Sequence, residues 1–257
     1  MASKTPKKRK RWLLRIAILA VVLLAFARLA VYVADEPRPQ GIEGEPADQM
    51  ARQIELAINK ADWDTVAIVQ WQFAGAHKHL WDRSRHLAQV SWGEKKVQLD
   101  LNTRRGMAWE NGVQVSQEKV QDLVDEAWSY WVNDAFWLNP LAKLFDDGTT
   151  RELVDLKEGK QGLLISYAQG GATPGDSYLW ILDPETKRPN NWKMWVGVIP
   201  IGGLEMAWNG WIQIPGTESW VSTTHDGSIY TLVLDGIKGA YQVEDMFDED
   251  PFAPLLR

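Results

Sequence analysis

From Thr149 to Leu234 the chain breaks into seven short apolar runs, each closed by turn-forming residues. The runs are 151–157, 162–169, 177–183, 191–198, 204–214, 218–224 and 229–234. Glu158-Gly159-Lys160, Gly170-Gly171-Ala172-Thr173-Pro174-Gly175, Asp183-Pro184-Glu185-Thr186, Pro200-Ile201-Gly202-Gly203, Pro215-Gly216 and Asp226-Gly227 separate them. Such spacing is too short for helices between strands. It predicts an antiparallel meander in which each strand pairs with the next.

The first half carries the same period of two. Val66–Phe73 places Val69, Trp71 and Phe73 on one face, and Val97, Leu99 and Leu101 alternate with Gln98, Asp100 and Asn102. Residues 86–92 and 95–102 form a predicted hairpin at Gly93-Glu94. Residues 107–109 and 113–115 form another at Asn111-Gly112, a pair suited to a tight turn. Two segments switch to helical spacing. Met50, Ile54, Ala57, Ile58 and Ala61 line one side of a predicted helix over 47–61. Val120, Leu123, Val124, Ala127, Trp128 and Trp131 line a second, which starts at Ser116 and is expected to give way near Asn133-Asp134 before Pro140. The predicted fold is mainly β (α+β): a curved antiparallel sheet, an incomplete β-barrel of about 11 strands, covered by two helices.

The first 34 residues hold eight Lys or Arg and no Asp or Glu. A basic tail (1–11) precedes an apolar stretch (12–34) long enough at helical rise to cross the hydrocarbon core as a transmembrane anchor. Arg15 and Arg28 lie near its ends, where they can snorkel. The basic flank stays cytoplasmic, so the remainder is exported. Ala25-Phe26-Ala27 also fits a signal-peptide cleavage site. Next come a Pro/Gly-rich acidic linker (35–46) expected to stay extended, the β domain (47–242), and an acidic tail (243–257) expected to be loosely ordered.

Residues 35–257 hold 20 Lys/Arg against 34 Asp/Glu, a net charge of −14. That surface repels phosphate backbones and argues against nucleic acid as a partner. With no Cys, disulfides, thiolate metal sites and Cys nucleophiles are excluded. Fourteen of the 15 Trp lie beyond the apolar stretch. They read as core filler, as the walls of an apolar cavity, or as exposed sugar platforms at Trp192, Trp211 and Trp220.

Tyr130–Pro140 continuing to Phe145-Asp146-Asp147-Gly148, Thr173–Tyr178, and Leu182-Asp183-Pro184-Glu185-Thr186 running into Trp192-Lys193-Met194 carry a resemblance. With the element order, they resemble the LolA-like lipoprotein-carrier superfamily over roughly 47–236. The resemblance implies a half-barrel with an apolar cavity for acyl chains, in a protein of the bacterial envelope. The expectation is a non-catalytic binder of a lipid or lipidated protein, anchored once in the inner membrane with its C-terminal domain in the periplasm. A tethered member suits local hand-off or sensing better than shuttling. The alternative is a glycan- or protein-binding sensor that uses exposed Trp and the acidic surface.

The candidate cavity residues are Val69, Trp71, Phe73, Val97, Leu99, Trp109, Trp128, Trp131, Leu164, Trp180, Leu182, Trp195 and Trp208. His77-Lys78-His79 with Asp82 and His86 could suggest metal ligands, but no second cluster completes a four-ligand site, so no metal or other cofactor is expected. His225-Asp226 lies at a turn without a nucleophile elbow, and Gly170-Gly171 lacks the Lys of a phosphate loop; no catalytic residue is assigned.

Overall fold

A computed structural model describes residues 6–169 and 174–256. The turn expected at 170–173 and the end of the basic tail at 1–5 lie outside the described residues. Fourteen strands form one open antiparallel sheet. Six of them make a meander in the first half: β2 (Ile68–Phe73), β3 (His77–Asp82), β4 (Leu87–Trp92), β5 (Lys95–Asp100), β6 (Arg105–Glu110) and β7 (Val113–Gln114). Seven make a second: β8 (Thr149–Asp155), β9 (Gln161–Tyr167), β10 (Ser177–Leu182), β11 (Pro189–Trp195), β12 (Leu204–Gln213), β13 (Trp220–Gly227) and β14 (Thr231–Ala240). β14 pairs with β2 and joins the two meanders. The two-residue strand β1 (Ile42–Glu43) pairs with β8 at the far edge. The count exceeds the expected 11 or so because β1 and β3 are also strands and the short hairpin counts as two, β6 and β7.

Helix α1 (Pro6–Ala34) comes first. Helix α2 (Glu45–Ala57) and the short α3 (Lys60–Trp63) replace the single expected helix, because Asn59 takes a left-handed φ of 53° between them. Helix α4 (Gln117–Leu138) bridges the meanders. It does not yield at Asn133-Asp134; tertiary contacts of Asp134 override the local preference. Pro140 then opens a 3₁₀ turn (Pro140–Lys143).

Side-chain alternation sorts the sheet into two faces. Helices α2 and α4 both sit on the inner one. Ala47, Ala51, Ile54 and Ile58 pack against Leu163, Ile165, Trp180, Trp192 and Trp208. Val120, Val124 and Ala127 pack against Ala88, Val90, Val97, Leu99 and Ala108. A Cβ at Gly106 would lie 2.2 Å from the Gln98 carbonyl oxygen and 3.0 Å from Val124 Cγ2, so glycine lets α4 approach β6. A register shift between Asp235 and Lys238, with Gly236 at φ 60°, bends the sheet where the meanders meet.

The flanking segments are held onto the body. Phe252, in the tail expected to be loose, is fully buried beside Ile68, Leu80 and Leu87. Arg85 grips Asp250 through both terminal nitrogens, at 2.6 and 2.9 Å, and holds its carboxyl below the usual range. The linker runs extended but pinned: Lys193 pairs with Glu36, Trp195 Nε1 donates to the Glu36 carbonyl, and Arg38 pairs with Glu152. Contacts with the sheet hold the linker in the extended course expected of it.

The anchor predicted at 12–34 falls within α1, whose described apolar side chains, such as Leu19, Val21 and Leu24, are exposed. Among the described residues, no helix is long and apolar enough to cross a membrane. Several side chains within α1 are not among those described.

Candidate functional site

The C-terminal half of α4 does not press onto the sheet along its whole length. A cleft of about 930 Å³ opens around it. Trp131, Phe136, Trp137 and Asn139 supply one wall. Lys60, Trp63, Trp81 and Arg83, from α3 and the end of β3, form one flank. Tyr167, Gln169, Asp176 and Tyr178, from β9 and the start of β10, form the other. The volume falls within the range of small-molecule sites, and aromatic rings dominate the walls.

The polar groups of the cleft are unbalanced. The Nε of Arg83, the indole Nε1 of Trp81 and Trp131, the Nδ2 of Asn139 and the hydroxyl of Tyr167 are buried without a hydrogen-bond partner. Four of the five can only donate. Arg83 stacks over Trp63 at 4.2 Å and donates to the carbonyls of Trp63 and Val66, but among the described residues it pairs with no carboxylate. Burial draws its pKa down to about 10, with Asp64 opposing, so it stays cationic at neutral pH. The rim cations differ: Lys60 pairs with Asp64, and Lys143 with Asp146. Burial pushes the Tyr167 and Tyr178 hydroxyls well above their ordinary values, and both remain neutral donors.

Of the 13 residues selected from sequence, Trp131 lines this cleft. Trp180, Trp208 and Leu182 belong to the aromatic core under α2. Val69, Trp71 and Phe73 pack with Ile214 and Val221. Val97 and Leu99 lie under the first half of α4, and Trp128, on α4 itself, packs against that cluster. Leu164 and Trp195 cluster with Val154 and Leu179 on the outer face, and Trp109 is also outside, under Lys96 at 4.4 Å. Alternation identified inward faces without showing where the helix lifts away. Arg83 was missed because it lies just past a strand end, where no apolar pattern marks it.

The metal-ligand candidates separate. His77 and His79 face inward together, whereas His86 is an exposed turn residue at φ 56°. Asp82 caps that turn from the outer face, accepting from Ser84 and Arg85. A residue missed from sequence joins the two histidines. Asp134 Oδ2 lies 2.8 Å from His77 Nδ1 and 2.7 Å from His79 Nε2. A signal existed: Val120, Val124, Ala127, Trp131, Asp134 and Leu138 continue one helical stripe, so Asp134 stands in a buried row. Burial lowers the His79 pKa, and Asp134 partly restores it.

Among the sugar-platform candidates, Trp192 is sealed in the core. Trp211 and Trp220 pack onto it, with Arg188 over the Trp220 ring at 4.1 Å. No carboxylate accepts from His225, since both its ring nitrogens lack partners, and Asp226 turns outward to Thr231 and Asn209. Burial between Trp208 and Trp137 lowers the His225 pKa to about 3. In the unfolded chain it titrates near 6.5, so below that pH the unfolded state binds the extra proton and stability falls as pH falls. The expected slope is about 1.4 kcal/mol per pH unit between roughly pH 6 and 4.5. Urea midpoints of His225→Leu measured across that window should show a shallower acid limb; parallel limbs would contradict a neutral buried His225.

No protein-family model matches the chain, and no curated protein matches it. Among solved structures, the chain is similar to a DUF1329 family protein from Desulfovibrio piger ATCC 29098, with 8% identity and a TM-score of 0.39 over 83% of this chain and 100% of that one. It is also similar to a LolA superfamily protein from Nitrosomonas europaea, with 10% identity and a TM-score of 0.34 over 77% of this chain and 98% of that one. Neither likeness carries weight for function, and the open antiparallel sheet rests on the strand pairing itself.

Proposed function

We propose that this chain is a membrane-anchored envelope protein that binds, without catalysis, the acyl portion of a lipid or lipidated protein in the cleft beside α4. The carrying observation is the combination of aromatic walls with the partly buried guanidinium of Arg83, which pairs with no carboxylate among the described residues. An apolar guest satisfies the walls at about 0.8 kcal/mol per buried CH₂. An acidic head meets the charge of Arg83. The favoured guest is therefore an amphiphile with an acidic head.

The anchoring part of the reading rests on sequence. The basic flank and apolar stretch of 12–34 suit a single inner-membrane span with the β domain in the periplasm. Native mass spectrometry of full-length protein extracted from membranes tests the whole proposal. The expected spectrum contains a bound species of lipid mass that is lost on delipidation and regained with added dodecanoate. Only bare protein, before and after dodecanoate, would overturn it.

A further inference from the structure

Asp134 is 1% exposed, and among the described residues its ion-pair partners are His77 and His79 alone. A carboxylate buried without Lys or Arg needs a positive charge from elsewhere. The ligand atoms His77 Nδ1, His79 Nε2 and Asp134 Oδ2 lie within 4.8 Å of one another. We propose that they form a binding site for a divalent transition-metal ion that joins β3 to α4. This proposal stands independently of the guest in the cleft.

Two imidazoles and one carboxylate suit zinc, cobalt or nickel rather than magnesium or calcium, which prefer all-oxygen shells. At tetrahedral angles, metal–nitrogen and metal–oxygen bonds of about 2.0–2.2 Å place ligand atoms roughly 3.3–3.6 Å apart. The 2.7 and 2.8 Å contacts therefore widen by about 0.5–0.9 Å on the roughly tetrahedral spacing of such bonds, which side-chain rotation supplies. The side chains are already oriented. The His79 ring stacks on Trp71 at 4.5 Å, and His77 lies on Tyr130 at 4.0 Å. Asn133 Nδ2 donates to the other Asp134 oxygen at 2.9 Å, which fixes the carboxylate plane. With three protein ligands, the remaining coordination is left to water from the less buried His77 side. The site lies two residues before Trp81 on β3 and one turn after the start of the cleft wall on α4. Metal binding would therefore hold the cleft's helix against its sheet.

The test uses full-length, chelator-stripped protein in detergent micelles at neutral pH, titrated with Zn²⁺ alone and with Co²⁺ alone. The expected result is one equivalent per chain, with visible cobalt absorption. His77→Gln, His79→Gln and Asp134→Asn should each weaken affinity at least tenfold, whereas His86→Gln leaves it unchanged. Because Asp134→Asn could loosen α4, imidazole ¹⁵N signals of the unaltered chain give a second readout: Zn²⁺ should shift His77 and His79, and not His86 or His225. Binding below half an equivalent, equal affinity in all variants, or unmoved His77 and His79 signals would overturn the site.

Discussion

Trp192→Ala is expected to cost about 3–5 kcal/mol of folding stability, as large-to-small changes at fully buried aromatic sites do. Trp192 has no exposed surface and stands at the centre of a ring lattice. Its ring centroid lies 4.6 Å from that of Tyr178, 4.8 Å from Trp180, and 5.0 Å from both Trp137 and Trp208. Each neighbour is itself wedged between others, so the hole cannot collapse cheaply. Against a total of about 5–15 kcal/mol for a folded domain, the loss is about a fifth or more. Urea unfolding of the full chain in micelles, followed by far-ultraviolet circular dichroism, measures it. A loss below about 1 kcal/mol would mean that the aromatic block is loosely packed, and that the space for a guest lies inside it rather than beside α4.

That distinction bears directly on function. The sheet's concave face is neither solid throughout nor hollow throughout. Under α2 it is filled by rings, and under the first half of α4 by aliphatic side chains. Space remains where α4 ends, with Trp131, Phe136, Trp137 and the 3₁₀ turn from Pro140 on one wall, the end of β3 on one flank and β9 and β10 on the other.

Most of the architecture was legible in the sequence because period-two alternation and turn chemistry are local. Six of the seven strands after Thr149 fall within three residues of their predicted bounds, and the seventh, expected to end at Leu234, runs on to Ala240. What was not legible depended on contacts between distant residues. His77–Asp82 did not alternate apolar with polar, so its inward histidines hid a strand that Asp134 completes from 55 residues away. The tail looked loose because its acidic residues suggested solvent, yet Asp250 is neutralised by Arg85 and Phe252 fills a hollow on the outer face. The cavity residues were chosen by facing direction, which cannot show where a helix stands off a sheet. The resemblance to half-barrel carriers suggested a cavity but did not locate it.

The Arg83 end of the cleft provides the second large effect. Arg83 stands between Trp63 and Trp81, and among the described residues no carboxylate pairs with it. A hydrogen bond to a charged group contributes about 1.5–3 kcal/mol, which corresponds to roughly tenfold to more than hundredfold in affinity. Arg83→Gln removes the charge but keeps a donor. The same guanidinium also holds the Trp63 and Val66 carbonyls, so a general loosening of α3 would weaken every ligand alike. Two probes with the same chain and different heads separate the effects.

The decisive measurement is therefore the affinity of full-length protein, unaltered and Arg83→Gln, for dodecanoate and for dodecanol. A cleft built for an acidic amphiphile predicts that the substitution weakens dodecanoate at least tenfold and leaves dodecanol within about twofold. Equal losses for both probes, or unaltered protein that binds dodecanol as tightly as dodecanoate, would contradict it.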